Sequence, residues 1–115
     1  MRKQCHNPYM PLWEHVPDGE PHVFGDRLYV YGSHDLENGN EFCEQDYVCW
    51  SAPVTDLSDW RCDGVIYKKE QDPYNQDALP LYAPDVVKGP DGRYYLYYCI
   101  KFQDSINVAV CDTPA

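Results

Sequence analysis

The 115-residue chain is 43% apolar, enough to supply the core of one small domain. Nineteen Asp and Glu against nine Lys and Arg give a formal charge of −10, a field that repels nucleic acid and anionic membranes and leaves neutral or cationic partners. No apolar run approaches the ~20 residues of a membrane-spanning helix, and the first residues, MRKQCHNPYMPLWEH, lack the apolar stretch of a secretion signal, so a cytoplasmic location is expected.

Eleven tyrosines, ten prolines and seven glycines scattered between short apolar runs suit strands and turns, and the expected fold class is all-β. In chain order, PHVF (21–24), RLYVYGS (27–33), DYVCWSAP (46–53) and CDGVIYK (62–68) read as four strands. Gly25-Asp26, Glu37-Asn38-Gly39-Asn40 and Asp56-Leu57-Ser58-Asp59 separate them, because Asn, Asp and Gly tolerate the backbone angles of tight turns. A four-stranded meander follows.

The pattern then recurs. DVVKGPDGRYYLYYCIK (85–101) repeats the order of PHVFGDRLYVYGSH (21–34): a short strand, a Gly/Asp turn, an Arg, then a Tyr-rich strand, with Arg27 and Arg93 in equivalent places. INVAVCDTPA (106–115) takes the place of YVCWSAP. Repetition of one four-stranded antiparallel sheet is the pattern of a β-propeller, in which each blade buries its faces against its neighbours. The expectation is one full blade and three strands of a second. Since a propeller needs about four blades to close, residues 1–115 read as the N-terminal part of a single propeller domain. A free-standing sandwich of seven strands is the alternative.

Six cysteines (Cys5, Cys43, Cys49, Cys62, Cys99, Cys111) include no Cys-x-x-Cys pair, so zinc is not expected. Several fall in strand runs, where they act as small buried hydrophobes. His6, His15, His22 and His34 lack ligand spacing, and no metal site or cofactor is expected from them. Trp13 is expected to staple the N-terminal segment to the first sheet, and Trp50 and Trp60 to lie in the core.

Inner propeller strands start near the central axis, so polar residues at their entrances converge on one funnel. Asp18 precedes the first such strand and Asp85 the second. Tyr82 with Asp85 would give an aromatic platform beside a hydrogen-bond acceptor, suited to a sugar ring, although Asp85 after Pro84 also reads as turn chemistry. His34 and Asp35, at the far end of the second strand, are candidates for hydroxyl contacts or for ordering the loop that follows.

PDGEPHVFGDRLYVYGSHD followed by LYAPDVVKGPDGRYYLYYC resembles the opening of glycoside hydrolase family 43, from about Asn7 to Ala115. The resemblance implies a five-bladed β-propeller acting as a β-xylosidase, α-L-arabinofuranosidase or arabinanase, with only about the first two blades in this chain. It places Asp18 at the family's catalytic base, with Gly19 where the family has Pro and Glu20 as the competing carboxylate. Tyr82-Ala83-Pro84-Asp85 stands for the family's Trp-Ala-Pro-Asp. The general acid and the carboxylate that tunes it would lie in later blades, which implies an inactive 115-mer. Some relatives carry a structural calcium near the axis, which nothing in this sequence specifies. The implied partner is an oligosaccharide derived from xylan or arabinan, with no nucleic acid or membrane. A carbohydrate-binding propeller without catalysis and a purely structural repeat module are the alternatives.

Overall fold

The computed structural model describes residues 7–115, so Cys5 and His6 lie outside the described residues. Seven strands follow in order: β1 (Glu20–Phe24), β2 (Arg27–Gly32), β3 (Tyr47–Pro53), β4 (Arg61–Tyr67), β5 (Leu81–Lys88), β6 (Tyr94–Ile100) and β7 (Ile106–Cys111). A single 3₁₀ turn spans Lys69–Gln71, and no α-helix occurs among the described residues. The strands form two antiparallel meanders, β1-β2-β3-β4 and β5-β6-β7. The all-β expectation and the first meander stand, with strand limits shifted by about one residue.

β5 is the exception and a correction. Asp85 and Tyr82 do not precede this strand; both lie within it, Tyr82 opposite Cys99 and Asp85 opposite Tyr97. Pro84 would normally bar a ladder position. Here the register shifts between Tyr82 and Asp85, and Ala83 takes a positive φ of 26°, so a bulge absorbs the proline and the strand runs on both sides of it.

Sheet register decides which side chains share a face. Tyr29, Tyr31, Tyr47 and Cys49 from the first sheet meet Leu81, Val86, Leu96, Tyr98 and Ile100 from the second, forming the core between the sheets. Phe24 meets Tyr94 edge-on at 5.0 Å between ring centroids. The tyrosines serve this core because their rings fill it while their hydroxyls find acceptors: Tyr31 donates to the Pro114 carbonyl and Tyr47 to the Tyr82 carbonyl, both at 2.6 Å.

The opposite face of the first sheet carries Val30, Val48, Trp50 and Ala52, all buried. The N-terminal strap, residues 8–17, lies over part of it. Trp13 packs against Trp50 with ring centroids 6.0 Å apart, and Tyr9 against Trp60 at 4.9 Å. Trp13 is 67% exposed, and its contact with Trp50 is the stapling contact. Trp60 is half-buried, not core as expected, because it sits beyond the end of β3 with its indole N–H tied to the Leu57 carbonyl. The cysteines also divide. Cys43 and Cys49 are buried, Cys99 is half-buried, and Cys62 and Cys111 are exposed because they lie on β4 and β7, the outermost strands of their sheets.

Candidate functional site

Asp18 lies between the strap and β1. Two close approaches fix the backbone around it. Gly32 leaves a notch that Val16 fills: a Cβ on Gly32 would stand 2.1 Å from Val16 Cγ1 and 3.1 Å from the Pro17 carbonyl. Gly19 rides close over Val30, where a Cβ would meet Cγ1 at 3.0 Å. Between these contacts Asp18 takes a left-handed backbone, φ 55°, which an L-residue other than Gly adopts at a cost. Its side chain is exposed, and among the described residues no hydrogen bond or ion pair holds the carboxylate.

Beside it, residues 33–46 form a knot. Asp35 Oδ1 accepts from the Cys43 N–H at 2.7 Å, the Asp35 carbonyl accepts from Gln45 Nε2 at 2.7 Å, and the Gln45 N–H donates to the His34 carbonyl at 3.0 Å. The Asp35 N–H reaches back to the His15 carbonyl at 3.0 Å, joining loop to strap. Burial, foremost, pushes the Cys43 thiol above its usual range; the Ser33 hydroxyl eases the shift, and the carboxylates of Asp35 and then Asp18 add to it. His34 Nε2 bonds Glu14 Oε1 at 2.7 Å, and Glu14 Oε2 accepts from Trp50 Nε1 at 2.8 Å.

Tyr82 and Asp85 belong to a second group. Asp85 Oδ1 meets His22 Nε2 at 2.6 Å, tying β5 to β1 across the sheets, and also accepts from its own neighbour's backbone, Val86 N–H, at 2.8 Å. His22 stacks on Phe24 with ring centroids 5.8 Å apart. Tyr82 is half-buried, and its carbonyl is held by Tyr47. Glu20 is the first residue of β1, on the same face as His22 and exposed.

By their contacts the five sequence candidates fall into two groups, Asp18 with His34 and Asp35, and Tyr82 with Asp85. None lines the pocket of about 250 Å³ between the sheets, which is walled by Tyr31, Tyr67, Val86, Leu96 and residues 113–115. His34 alone borders an open surface depression of about 480 Å³, with Asp46 and Lys69. Among the described residues no group of three or more His, Cys, Asp or Glu could hold a metal ion. Sequence reasoning missed Glu14 and His22 as partners of the candidates. The one available signal for Glu14 was a charge set inside the apolar run PLWEH.

No family model matches the chain. It is 64% identical, over its whole length, to a xylosidase/arabinosidase of Thermoclostridium stercorarium, and 34% identical over 92% of its length to a xylosidase/arabinosidase of Bacteroides ovatus. The chain spans 24% of the first protein's length and 35% of the second's. Among solved structures it superposes on RS223 β-xylosidase (TM-score 0.71, 30% identity), covering 88% of this chain and 33% of that one. It superposes equally on the GH43_1 enzyme from Xanthomonas citri complexed with xylose (TM-score 0.71, 29% identity), covering 92% of this chain and 31% of that one.

Proposed function

We propose that the chain is part of a glycoside hydrolase of family 43 and that the whole protein is an inverting glycosidase that releases xylose or arabinofuranose from oligosaccharides. Its domain is a five-bladed propeller, of which the two meanders are the first blade and most of the second. The relatives' names and the xylose-bound Xanthomonas citri structure support the substrate class.

The observation that carries the reading is Asp18. An exposed carboxylate that no described residue occupies, presented on a left-handed backbone between two packed glycine contacts, is suited to take a proton from water. In inverting hydrolysis one carboxylate removes a proton from the attacking water while a second carboxyl group, about 6.5–9.5 Å away, protonates the leaving oxygen. The water oxygen bonds to the anomeric carbon as the glycosidic bond breaks. Asp18 fills the first role; the acid belongs to a part of the protein outside this chain, so residues 1–115 alone turn nothing over. Tyr82 offers a ring face to the sugar, and Asp85, His34 and Asp35 complete the polar surround.

The test is hydrolysis of aryl β-D-xyloside and aryl α-L-arabinofuranoside by the complete protein, with the product followed by proton NMR from the first turnover. The expected result is cleavage with inversion, a β-xyloside giving α-xylose first. Absence of cleavage of both substrates, or retention of configuration, overturns the reading.

A further inference from the structure

Glu14 is a charge where none is needed to cover Trp50. Its side chain is 4% exposed, within the strap that packs on the first sheet. Burying a carboxylate is costly unless its lone pairs are met. They are met by three donors: His34 Nε2 at 2.7 Å and the His15 N–H at 3.0 Å on Oε1, and Trp50 Nε1 at 2.8 Å on Oε2. An apolar residue would cover the indole as well, but would fix neither the register of the strap nor the rotation of His34.

We propose that Glu14 is a positioning residue for Asp18: its buried carboxylate, tied to His34 and Trp50, holds the strap so that Asp18 stands where it can activate water. The inference rests on the reading of Asp18 as the base. The chain of contacts is continuous. Glu14 anchors the strap to β3 through Trp50 and to the end of β2 through His34; the His15 carbonyl receives the Asp35 N–H; Val16 drops into the Gly32 notch; Asp18 follows, and Gly19 closes over Val30. Among the described residues no group bonds the Asp18 side chain, and the contacts that hold its segment are these anchors. A strained backbone persists only when its surroundings over-determine it. Glu14 supplies the charged, directional part of that determination, and the other contacts on this path are apolar or backbone.

The test uses the complete protein with aryl xyloside or arabinofuranoside, reading kcat, KM and thermal midpoint for Glu14→Ala, Glu14→Gln and Trp50→Phe. Misplacement of a reacting group by about 1 Å costs on the order of 100-fold in rate. The expected result for Glu14→Ala is a kcat about 10- to 100-fold lower with KM within about 3-fold. Glu14→Gln should recover part of the loss: the amide oxygen still accepts from Trp50 and the amide N–H can donate to the other tautomer of His34, while the His15 N–H loses its acceptor. A lower thermal midpoint with kcat per folded molecule unchanged would mean that Glu14 only stabilises, and overturns the inference. If Glu14→Ala does not fold, Trp50→Phe decides: it keeps the ring and deletes one donor, and a lower kcat at constant KM supports the inference while an unchanged kcat overturns it. Asp18→Asn separates the two claims. If it stays active, the base reading falls and takes the inference with it; if it is inactive while Glu14→Ala has the parent kcat, the inference alone falls.

Discussion

Asp72 is a buried carboxylate, 5% exposed, in the loop between β4 and β5, and two donors meet it: the Tyr74 N–H at 2.7 Å on Oδ1 and the Tyr98 hydroxyl on Oδ2. The Tyr98 hydroxyl is also 2.8 Å from that of Tyr67, so the loop, β4 and β6 are joined by one hydrogen-bonded chain. Removing the phenol leaves the carboxylate short of a donor in an enclosed site. Tyr98→Phe should therefore lower unfolding free energy by about 1–3 kcal/mol, seen as an earlier urea midpoint; a midpoint equal to the parent's would show that water replaces the hydroxyl. The His22–Asp85 bond is different. Both side chains are partly open to water, 34% and 59%, so screening leaves Asp85→Asn a stability cost under about 1 kcal/mol. Neither pairing was legible beforehand. An Asp in a loop reads as a turn former, and nothing in sequence spacing tells which tyrosine will meet it. Asp18 could be singled out because it stands just ahead of the first strand, in the segment that carries the family resemblance, whereas Glu14 has no motif and meets its partners only when the strap folds back.

At the scale of elements, alternation and turn residues located all seven strands, because each half-buried strand leaves a period-two mark and each tight turn its Gly, Asn or Asp. The start of β5 was lost because a proline inside a strand argues against the strand, and only the bulge at Ala83 resolves the conflict. The same packing makes Gly32→Ala informative. The new methyl would collide with the β-branched Val16 and press on the Pro17 backbone, so the strap must lift; a loss of about 1–3 kcal/mol is expected in denaturant titration. A neutral substitution there would mean that the strap is not docked in solution. The inter-sheet core carries its own pH dependence. Burial, first among the causes, raises the phenols of Tyr31, Tyr47 and Tyr98 above their ordinary value. Below about pH 10 both folded and unfolded chains keep these protons. Above it the unfolded chain releases them first, so stability falls as pH rises. Urea midpoints should decline from pH 9 to pH 11, and a flat profile would contradict the burial of these rings.

At the scale of the molecule, the two sheets are unequal. The outer face of the first is partly covered by the strap, while that of the second presents Val87, Tyr97, Ile106, Val108 and Val110, all exposed and brought onto one side by the β5-β6-β7 register. Beside it runs β7, with no strand paired to its outer edge among the described residues. An apolar face next to an open edge invites association. The 115-residue chain alone should self-associate with rising concentration in sedimentation velocity, and a Tyr97→Lys, Val108→Lys pair should keep it monomeric; a parent chain that stays monomeric at high concentration would contradict this. The repeat that organises both sheets was legible because two Gly/Asp turns and two Tyr-rich strands recur in order. How the sheets face one another, and that the strap occupies the outside of the first, depend on side-chain fit that periodicity does not record. The central claim is that Asp18 activates the water that attacks the sugar. Its most direct measurement is kcat for Asp18→Asn in the complete, folded protein, where the account predicts a fall of about 10²–10⁴-fold with KM little changed, and a kcat equal to the parent's would contradict it.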